Sequence, residues 1–366
     1  MPLYMDIHNV PGVKARDVAE AHRKDLLHQN EFGCNCMTYW IDEEREKIFC
    51  LIDAVNKDAV KEMHSKAHGL IPNKIIEVSS SLVESFLGRI YDPEDIPTTK
   101  DGLKVFSDPS FRTLLIIKMT DHVLLMHQLG VEKTNDLMDR QHETIRKNLL
   151  LQGGSEVEQG GEGFIISFTT ASKAVSCALA LLKDVSLTDA ALLGIKMAIN
   201  GGEPIEKSNK LFGDTIQFAN YLCEIANPSQ VAISSGIKDL VSKDILHHKG
   251  DHLLSLFPQD EEFLQLLFTK LEENWQDPDF DIPEYCQAMA MSQSQLYRKS
   301  TALTSLSCNV LLKEFRLRKA KDQMKEKRYT ISQITFESGF TSPSYFTKCF
   351  KKKYGLLPME YIDMLH

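Results

Sequence analysis

Three kinds of hydrophobic patterning follow one another along the chain. In the first eighty residues, alternation over Leu3–His8, Met37–Trp40, Lys47–Asp53 and Ile75–Val78 predicts strands, and apolar stripes over Val18–His28 and Asp58–His68 predict helices. From Leu114 to Ser234 the two periods keep exchanging. Leu114–Met119, Glu156–Val157, Phe164–Phe168, Leu193–Asn200 and Gln230–Ser234 predict strands, while Glu132–Leu150, Ser172–Asp184 and Thr215–Ala226 predict helices. Glycine turns at 160–163 and 201–204 punctuate them. The last hundred residues hold helical periodicity only, and there one pattern occurs twice.

The second copy is the clearer. Ile331 and Ile334 share one face of a short helix, and Gly339 stands where the chain turns sharply with a positive φ. Ser342 is placed to cap the next helix, and Pro343 suits its first turn. Phe346, Cys349 and Phe350 then form a buried stripe, leaving Ser344, Tyr345, Lys348, Lys351 and Lys352 on other faces. The first copy starts at Ile282, with Ser292 as its cap and Gln293, Gln295, Arg298 and Lys299 pointing outward. Leu311–Met324 joins the copies as an amphipathic helix, basic on its wet side.

A short polar and basic helix presented by a tight turn suits a major groove, where Gln and Arg contact adenine and guanine edges bidentately. Charge agrees. From Ser292 to Tyr354, 14 Lys/Arg oppose 4 Asp/Glu, although the whole chain carries −9. One basic module on an acidic body fits a confined phosphate-binding surface, so double-stranded DNA is the expected partner. Lys351, Lys352 and Lys353, toward the end of their helix, are expected at backbone phosphates. Two packed helical hairpins with solvated lysines are the bland alternative, and the agreement of duplication, capping and charge weighs against it.

At 366 residues and 43% apolar composition the chain has room for two or three cores. The predicted fold class is multidomain α+β: a ferredoxin-like sandwich over 1–80, a turn- and proline-rich linker over 81–110, an α/β sandwich over 111–250 and an all-α tandem helix-turn-helix domain over 261–366. No apolar run is long enough to cross a bilayer, and the N-terminus lacks a signal pattern, so a soluble cytoplasmic protein is expected. Eight scattered cysteines predict reduced thiols rather than a disulfide framework.

Five of the twelve histidines, His8, His22, His28, His64 and His68, fall in the first domain beside Cys34, Cys36 and Cys50. His64 and His68 are one helical turn apart, so both rings reach one side and could share a metal. His22 and Asp25 lie on neighbouring faces of another helix. Imidazole with thiolate suits Ni²⁺, Zn²⁺ or Cu²⁺ rather than Mg²⁺ or Ca²⁺. Exposed helix histidines and ordinary buried cysteines give the same spacing, and at the level of the residues both readings stand.

Family resemblances sharpen this. Met5-Asp6-x-His8, Ala21-His22-x-x-Asp25, Tyr39-Trp40, Phe49-Cys50-Leu51 and His64-x-x-Ala67-His68-Gly69 resemble the small ferredoxin-like nickel-binding proteins over about residues 1–79. The resemblance implies a nickel-type (or zinc-type) site, with His8, His22, Cys50, His64 and His68 as candidate ligands, and a tendency to dimerise. Phe315-Arg-Leu317-Arg-Lys-Ala320 and Gly339-Phe340-Thr-Ser342-Pro343-Ser-Tyr345-Phe346, followed by Phe350, Gly355, Pro358 and Tyr361, resemble the AraC/XylS transcription regulators over about residues 261–366. That resemblance implies two recognition helices entering successive major grooves on one DNA face. The first copy departs from the family pattern at Ser300, Ser305 and Cys308, where an apolar residue, Gly and Pro are usual.

The middle region, through Gly201-Gly-Glu-Pro204, Leu211-Phe-Gly213-Asp214, Ala219, Leu222-Cys223 and Pro228-Ser-Gln-Val231-Ala-Ile-Ser234, resembles the class III nucleotidyl cyclase domain. Cyclisation needs two metal-holding carboxylates, and cationic and amide groups for the developing charge. Lys118 stands at the first carboxylate position and Glu162 at the second, where Asp is usual. Gln217 and Tyr221 replace the Asn and Arg, and Glu158 stands near a base-recognising Lys position. A lysine in a ligand position repels the ion. The expectation is a pseudoenzyme with no catalytic residues, used for dimerisation or ligand sensing.

Together these features predict a homodimeric AraC-type transcription regulator controlled by a metal or small-molecule effector through its N-terminal and pseudo-cyclase domains. Two alternatives remain open: an active nucleotidyl cyclase with an accessory DNA-binding domain, and a nickel-handling protein tethered to DNA.

Overall fold

The computed structural model describes residues 1–160, 163–185, 187–227, 230–249, 252–326 and 329–365. Its first unit runs β1 (Leu3–Asn9), α1 (Ala15–His28), β2 (Cys34–Asp42), β3 (Lys47–Ala54), α2 (Lys57–Ala67) and β4 (Lys74–Val78). The strands form an antiparallel sheet in the order β2-β3-β1-β4, the split βαβ arrangement predicted from periodicity. Alternation along β1 divides its side chains. Tyr4 joins Val18, Val60 and Met63 beneath the helices, while Leu3, Met5 and Ile7 join Trp40, Phe49 and Ile76 on the other face.

The next segment departs from the expected linker. α3 (Ser80–Leu87) buries Val83, Phe86 and Leu87 against that second face and against Leu114, Ile205 and Phe212 of the middle unit. Residues 88–110 fold back over the first sheet instead of spanning a gap. Phe106 stacks on Tyr39 at 4.3 Å, and the Arg89 guanidinium lies 4.5 Å from the Trp40 ring centre while donating to Asp108 at 3.0 Å. Proline and turn residues forbid regular structure here, but they do not stop aromatic and guanidinium groups from packing.

The middle unit follows as β5 (Arg112–Lys118), α4 (His122–Leu129), α5 (Val131–Gln152), β6 (Ser155–Gly160), β7 (Gly163–Phe168), α6 (Ala171–Asp184), α7 (Leu187–Leu193), β8 (Lys196–Gly202), α8 (Gly213–Ile225), β9 (Val231–Ile233), α9 (Ser235–Leu240), α10 (Lys243–Lys249) and β10 (Leu253–Ser255). Its sheet order is β10-β9-β8-β5-β7-β6. Apolar residues of α5 and α6 cover one face, and Ala219, Leu222 and Ile225 of α8 cover the other. Gly201 and Gly202, expected in a turn, instead end β8. A Cβ on Gly202 would stand 2.0 Å from the Thr215 hydroxyl, so the glycine lets α8 lie close on the sheet.

The last unit is all helical: α11 (Pro258–Asn274), α12 (Ile282–Ala288), α13 (Gln293–Thr304), α14 (Cys308–Met324), α15 (Ile331–Glu337), α16 (Pro343–Tyr354) and α17 (Pro358–Met364). Ser292 caps α13 and Ser342 caps α16, accepting from Gln295 N and Tyr345 N. Gly339 turns between α15 and α16 at φ +76°, and a Cβ there would stand 2.4 Å from the Trp275 carbonyl. The departures in the first copy are accommodated locally. Ser300 is buried with its hydroxyl 3.0 Å from the Leu306 carbonyl, and Ser305 adopts the left-handed cap itself at φ +58°.

The three units pack into a continuous series. Lys47 and Arg45 of the first pair with buried Glu203 of the second, and Lys74 donates to the carbonyls of Glu206, Lys207 and Ser208. On the far side of the middle unit, Tyr221 stacks on Phe268 of α11 at 4.8 Å. Glu224 beside it binds both Lys118 and Arg318. Burial alone would raise the Glu224 carboxyl, but Arg318, Lys118 and Lys196 outweigh burial and push it down to about 2.

Because the folded value lies below the ordinary 4.5, the stabilisation from Glu224 is complete above that pH and fades as pH falls toward about 2. Glu224→Gln should therefore melt below the native protein at pH 6, with the difference narrowing below about pH 4.5. Paired thermal melts across pH check this, and a difference that stays constant with pH contradicts it.

Candidate functional site

Strand alternation sends Asp6 and His8 to the helix-covered face of the first sheet, and the β1–β3 register sets Cys50 opposite Asp6. The side chain of Asn56 caps α2 by accepting from Ala59 N at 2.9 Å. α2 then supplies His64 and, at its C-cap, His68, while α1 supplies Asp25. All these side chains meet between sheet and helices, where His64 is fully buried.

Three atoms make a near-equilateral triangle. His64 Nδ1 lies 3.1 Å from Asp25 Oδ1 and 3.0 Å from His68 Nε2, and His68 Nε2 lies 3.1 Å from the same Asp25 oxygen. A purely hydrogen-bonded triangle is short of protons. Each edge needs one, the carboxylate brings none, and the two nitrogens bring at most two. Metal–ligand bonds of about 2.1 Å meeting at right angles place neighbouring ligand atoms about 3.0 Å apart, which is this spacing. The donor set therefore fits a borderline divalent ion. His64 Nε2, on the opposite side of the ring, is 2.9 Å from Asp6 Oδ2, in the place of a carboxylate that orients a metal-bound histidine.

A second grouping, Asp6, His8, Cys50 and His64, also has its ligand atoms within 4.8 Å of one another. It is the weaker candidate on geometry, because the triangle's three edges are all 3.0–3.1 Å, whereas this grouping draws on the His64 nitrogen that Asp6 already holds. Burial disfavours charge on His64, yet Asp6 and Asp25 overcome it and raise its imidazolium to about 10. Both carboxylates are held below the usual range against their own burial, Asp6 by His64 and His8, Asp25 by His64 and His68. A pocket of about 20 Å³, bordered by His8, Asp25, Cys50 and His68, adjoins the triangle. That is room for about one water molecule.

The structure thus brings His8, Cys50, His64 and His68 together but leaves His22 outside either grouping. His22 borders the same pocket, yet its Nε2 lies 3.3 Å from Asp92 Oδ2 in the folded-back segment. Asp6 and Asp25, present in the motifs, were not among the candidate ligands. The signals were present in the sequence: Asp6 shares a strand face with His8, and Asp25 follows His22 by nearly one helical turn.

In the C-terminal unit, Gln293, Arg298, Ser344, Tyr345, Lys348, Lys351 and Lys352 are all exposed on α13 and α16. Three nominated side chains are already engaged. The Gln295 carbonyl oxygen accepts from Ser292 N at 3.1 Å in a capping box, Lys299 lies 5.2 Å from the Phe263 ring centre, and Lys353 pairs with Glu314 of α14. Lys353 falls three residues after Phe350 and, though exposed, reaches across to α14. Tyr297, 57% exposed on α13, belongs with the outward face and had not been singled out.

The described positions compared with a cyclase centre lie on or against β5, β6 and α8. Lys118 is paired with Glu224, Tyr221 is buried under α11, and Gln217 and Glu158 are exposed. Glu162 lies outside the described residues.

Residues 4–78 match the family described as nickel responsive protein SCO4226-like, and residues 285–364 match a helix-turn-helix domain family. Histidine kinase P4 of Formosa agariphila is 35% identical over 102 residues, covering 28% of this chain and 7% of the kinase. "Putative adenylate cyclase 3" of Rhizobium meliloti is 29% identical over 110 residues, covering 29% of this chain and 19% of that protein. The HTH-type transcriptional regulator GadX of Escherichia coli is 28% identical over 120 residues, covering 30% of this chain and 43% of the regulator. The matches span less than half the length of each of these relatives. The chain accordingly joins a SCO4226-like N-terminal domain to an AraC-type helix-turn-helix C-terminal domain, with cyclase-like relatives for its middle.

Untagged protein titrated with Ni²⁺ or Zn²⁺ in a calorimeter should bind the ion. His68→Ala should weaken binding at least about ten-fold, the scale of losing one well-placed ligand or its partner. Cys50→Ser and His22→Ala should change it little. These variants spare His64, the partner that both buried carboxylates share, since its loss would leave Asp6 to His8 and Asp25 to His68 alone and destabilise the fold as well as the site. A large loss from Cys50→Ser with none from His68→Ala would move the site to the second grouping.

Proposed function

We propose that this chain is an AraC-type DNA-binding transcription regulator, with a nickel- or zinc-class ion at Asp25, His64 and His68 as its input and α13 and α16 as its output. The observation that carries the output side is the duplicated architecture. Each copy has a side-chain cap, a buried face (Leu296 with the hydrogen-bonded Ser300; Phe346 and Phe350) and an exposed polar and basic face opposite. Such helices present side chains to base edges while neighbouring cations anchor on phosphates. Arg298, Gln293, Tyr345 and Lys348 are the proposed base-facing residues, and Lys351 and Lys352 the phosphate anchors.

On the input side, a bound ion would tie α1 to α2 by Lewis-acid coordination. The chain's own residues prepare for that: Asp6 fixes the His64 ring, and the adjoining pocket leaves room for about one water. No catalytic role is assigned to the middle domain, since Lys118 occupies its would-be carboxylate position and is itself neutralised by Glu224.

The DNA assignment is tested with a duplex selected from a random pool by the full-length protein. Arg298→Ala should cost about 1–3 kcal/mol on the selected site and relax choice at one base position. Lys352→Ala should weaken all sequences alike and lower the salt slope by about one unit. Fluorescence anisotropy across a salt series reads both. Absence of salt-dependent DNA binding by the native chain would overturn the proposal.

A further inference from the structure

The middle domain touches both helix-turn-helix halves, each through a different element. Ala219, Tyr221 and Leu222 of α8 share one core with Phe268 of α11, Leu296 of α13 and Leu311 and Phe315 at the start of α14. Val123 and Leu124 of α4 share another with Leu317 and Met324 at the end of α14 and Phe346 and Phe350 of α16. The first half therefore rests on α8 and the second on α4, and α14 runs across both.

Each apolar contact is accompanied by an acidic residue gripping α14. Glu224 of α8 takes Arg318. Asp121, at the N-cap of α4, is 5% exposed and divides its oxygens between two tasks. Oδ1 accepts from Val123 N at 2.9 Å, and Oδ2 accepts from Lys321 and Lys325, both at 3.1 Å, and from the Tyr361 hydroxyl at 2.9 Å. Buried carboxylates gripping cations of another domain resist separation, because pulling the pairs apart strands charge at a surface shaped to exclude water. The outward faces of α13 and α16 stay exposed in this docked state.

We propose that the middle domain acts as a clamp on the DNA-binding domain, with Glu224 and Asp121 as its two jaws on α14, fixing the angle and distance between the two reading helices before DNA arrives. The partner of this surface is the basic connecting helix of the same chain. The clamp stands on the domain interface alone, while its consequence for DNA rests on the DNA-binding reading above. A pair of heads held rigidly demands one spacing between half-sites, since each added base pair moves a half-site by about 3.4 Å along the duplex and rotates it about the axis.

The test uses the full chain with fluorophores introduced as unnatural amino acids at positions 294 and 351, leaving the native cysteines untouched. Single-molecule energy transfer without DNA should give one narrow distance for the native protein. Asp121→Asn combined with Arg318→Met should broaden it. Asparagine still caps α4, and Arg318→Met leaves the Lys118–Glu224 pair intact, so the middle domain keeps its internal contacts. In a second arm, a selected duplex is lengthened by one base pair between half-sites. The native protein should lose about ten-fold in affinity, the cost of roughly one mismatched base pair, and the double variant clearly less. An unchanged narrow distance in the double variant overturns the clamp. A broadened distance without DNA binding by any form upholds the clamp and removes the DNA reading instead.

Discussion

Charge taken out of water must be met by opposite charge close by, and in this chain that requirement is satisfied repeatedly across domain boundaries. Glu203 of the middle domain is met by Lys47 and Arg45 of the first, Glu224 by Arg318 of the last, and Asp121 by Lys321 and Lys325. Among the described residues each of these carboxylates draws cations from a neighbouring domain, and Glu224 also has Lys118 and Lys196 of its own. Three folding units, each with its own apolar core, are thereby joined into one packed series. The arrangement explains why an acidic body carries a basic terminal module: part of the excess positive charge on α14 is matched against the middle domain.

The same requirement organises the candidate metal centre. His64 lies between Asp6 and Asp25, and its position follows from three local facts: the pleat of β1, the Asn56 cap that starts α2, and the helical turn that brings His68 alongside. A centre tying α1 to α2 sits on one face of a sheet whose opposite face holds α3 and the middle domain. Lys74, at the start of β4, grasps three successive carbonyls of the loop that leads into α8. α8 in turn carries Tyr221 and Glu224 against the DNA-binding domain. The N-terminal centre and the DNA-binding domain are linked by contiguous packing, a physical route for coupling.

Much of this was legible from the residues. Periodicity, caps and turn glycines placed the helices of the tandem motif, because Ser292, Ser342 and Gly339 act within a few residues of themselves. The split βαβ order was readable for the same reason. What escaped was whatever depends on distant partners. The segment after β4 has a linker's composition, yet Phe106 and Arg89 find aromatic surface in the first sheet. His22 has the spacing of a ligand, but Asp92 from that same segment takes it. Gln295 has the chemistry of a base reader, but the capping box claims its carbonyl oxygen. Asp121 and Glu224 gave no local sign that they would hold α14.

The central claim is that occupancy of the Asp25–His64–His68 centre reaches the helices that read DNA. Its most direct measurement is the affinity of metal-free and Ni²⁺-loaded full-length protein for one selected duplex, at fixed salt, alongside the His68→Ala form. A coupling of about 1–3 kcal/mol, or five- to 150-fold, is the ordinary size of such an effect, and linkage requires DNA to change metal affinity by the same factor. The account predicts a shift within that range for the native protein and none for His68→Ala. Equal DNA affinity with and without bound metal would contradict it, since a ligand that binds both states equally shifts neither.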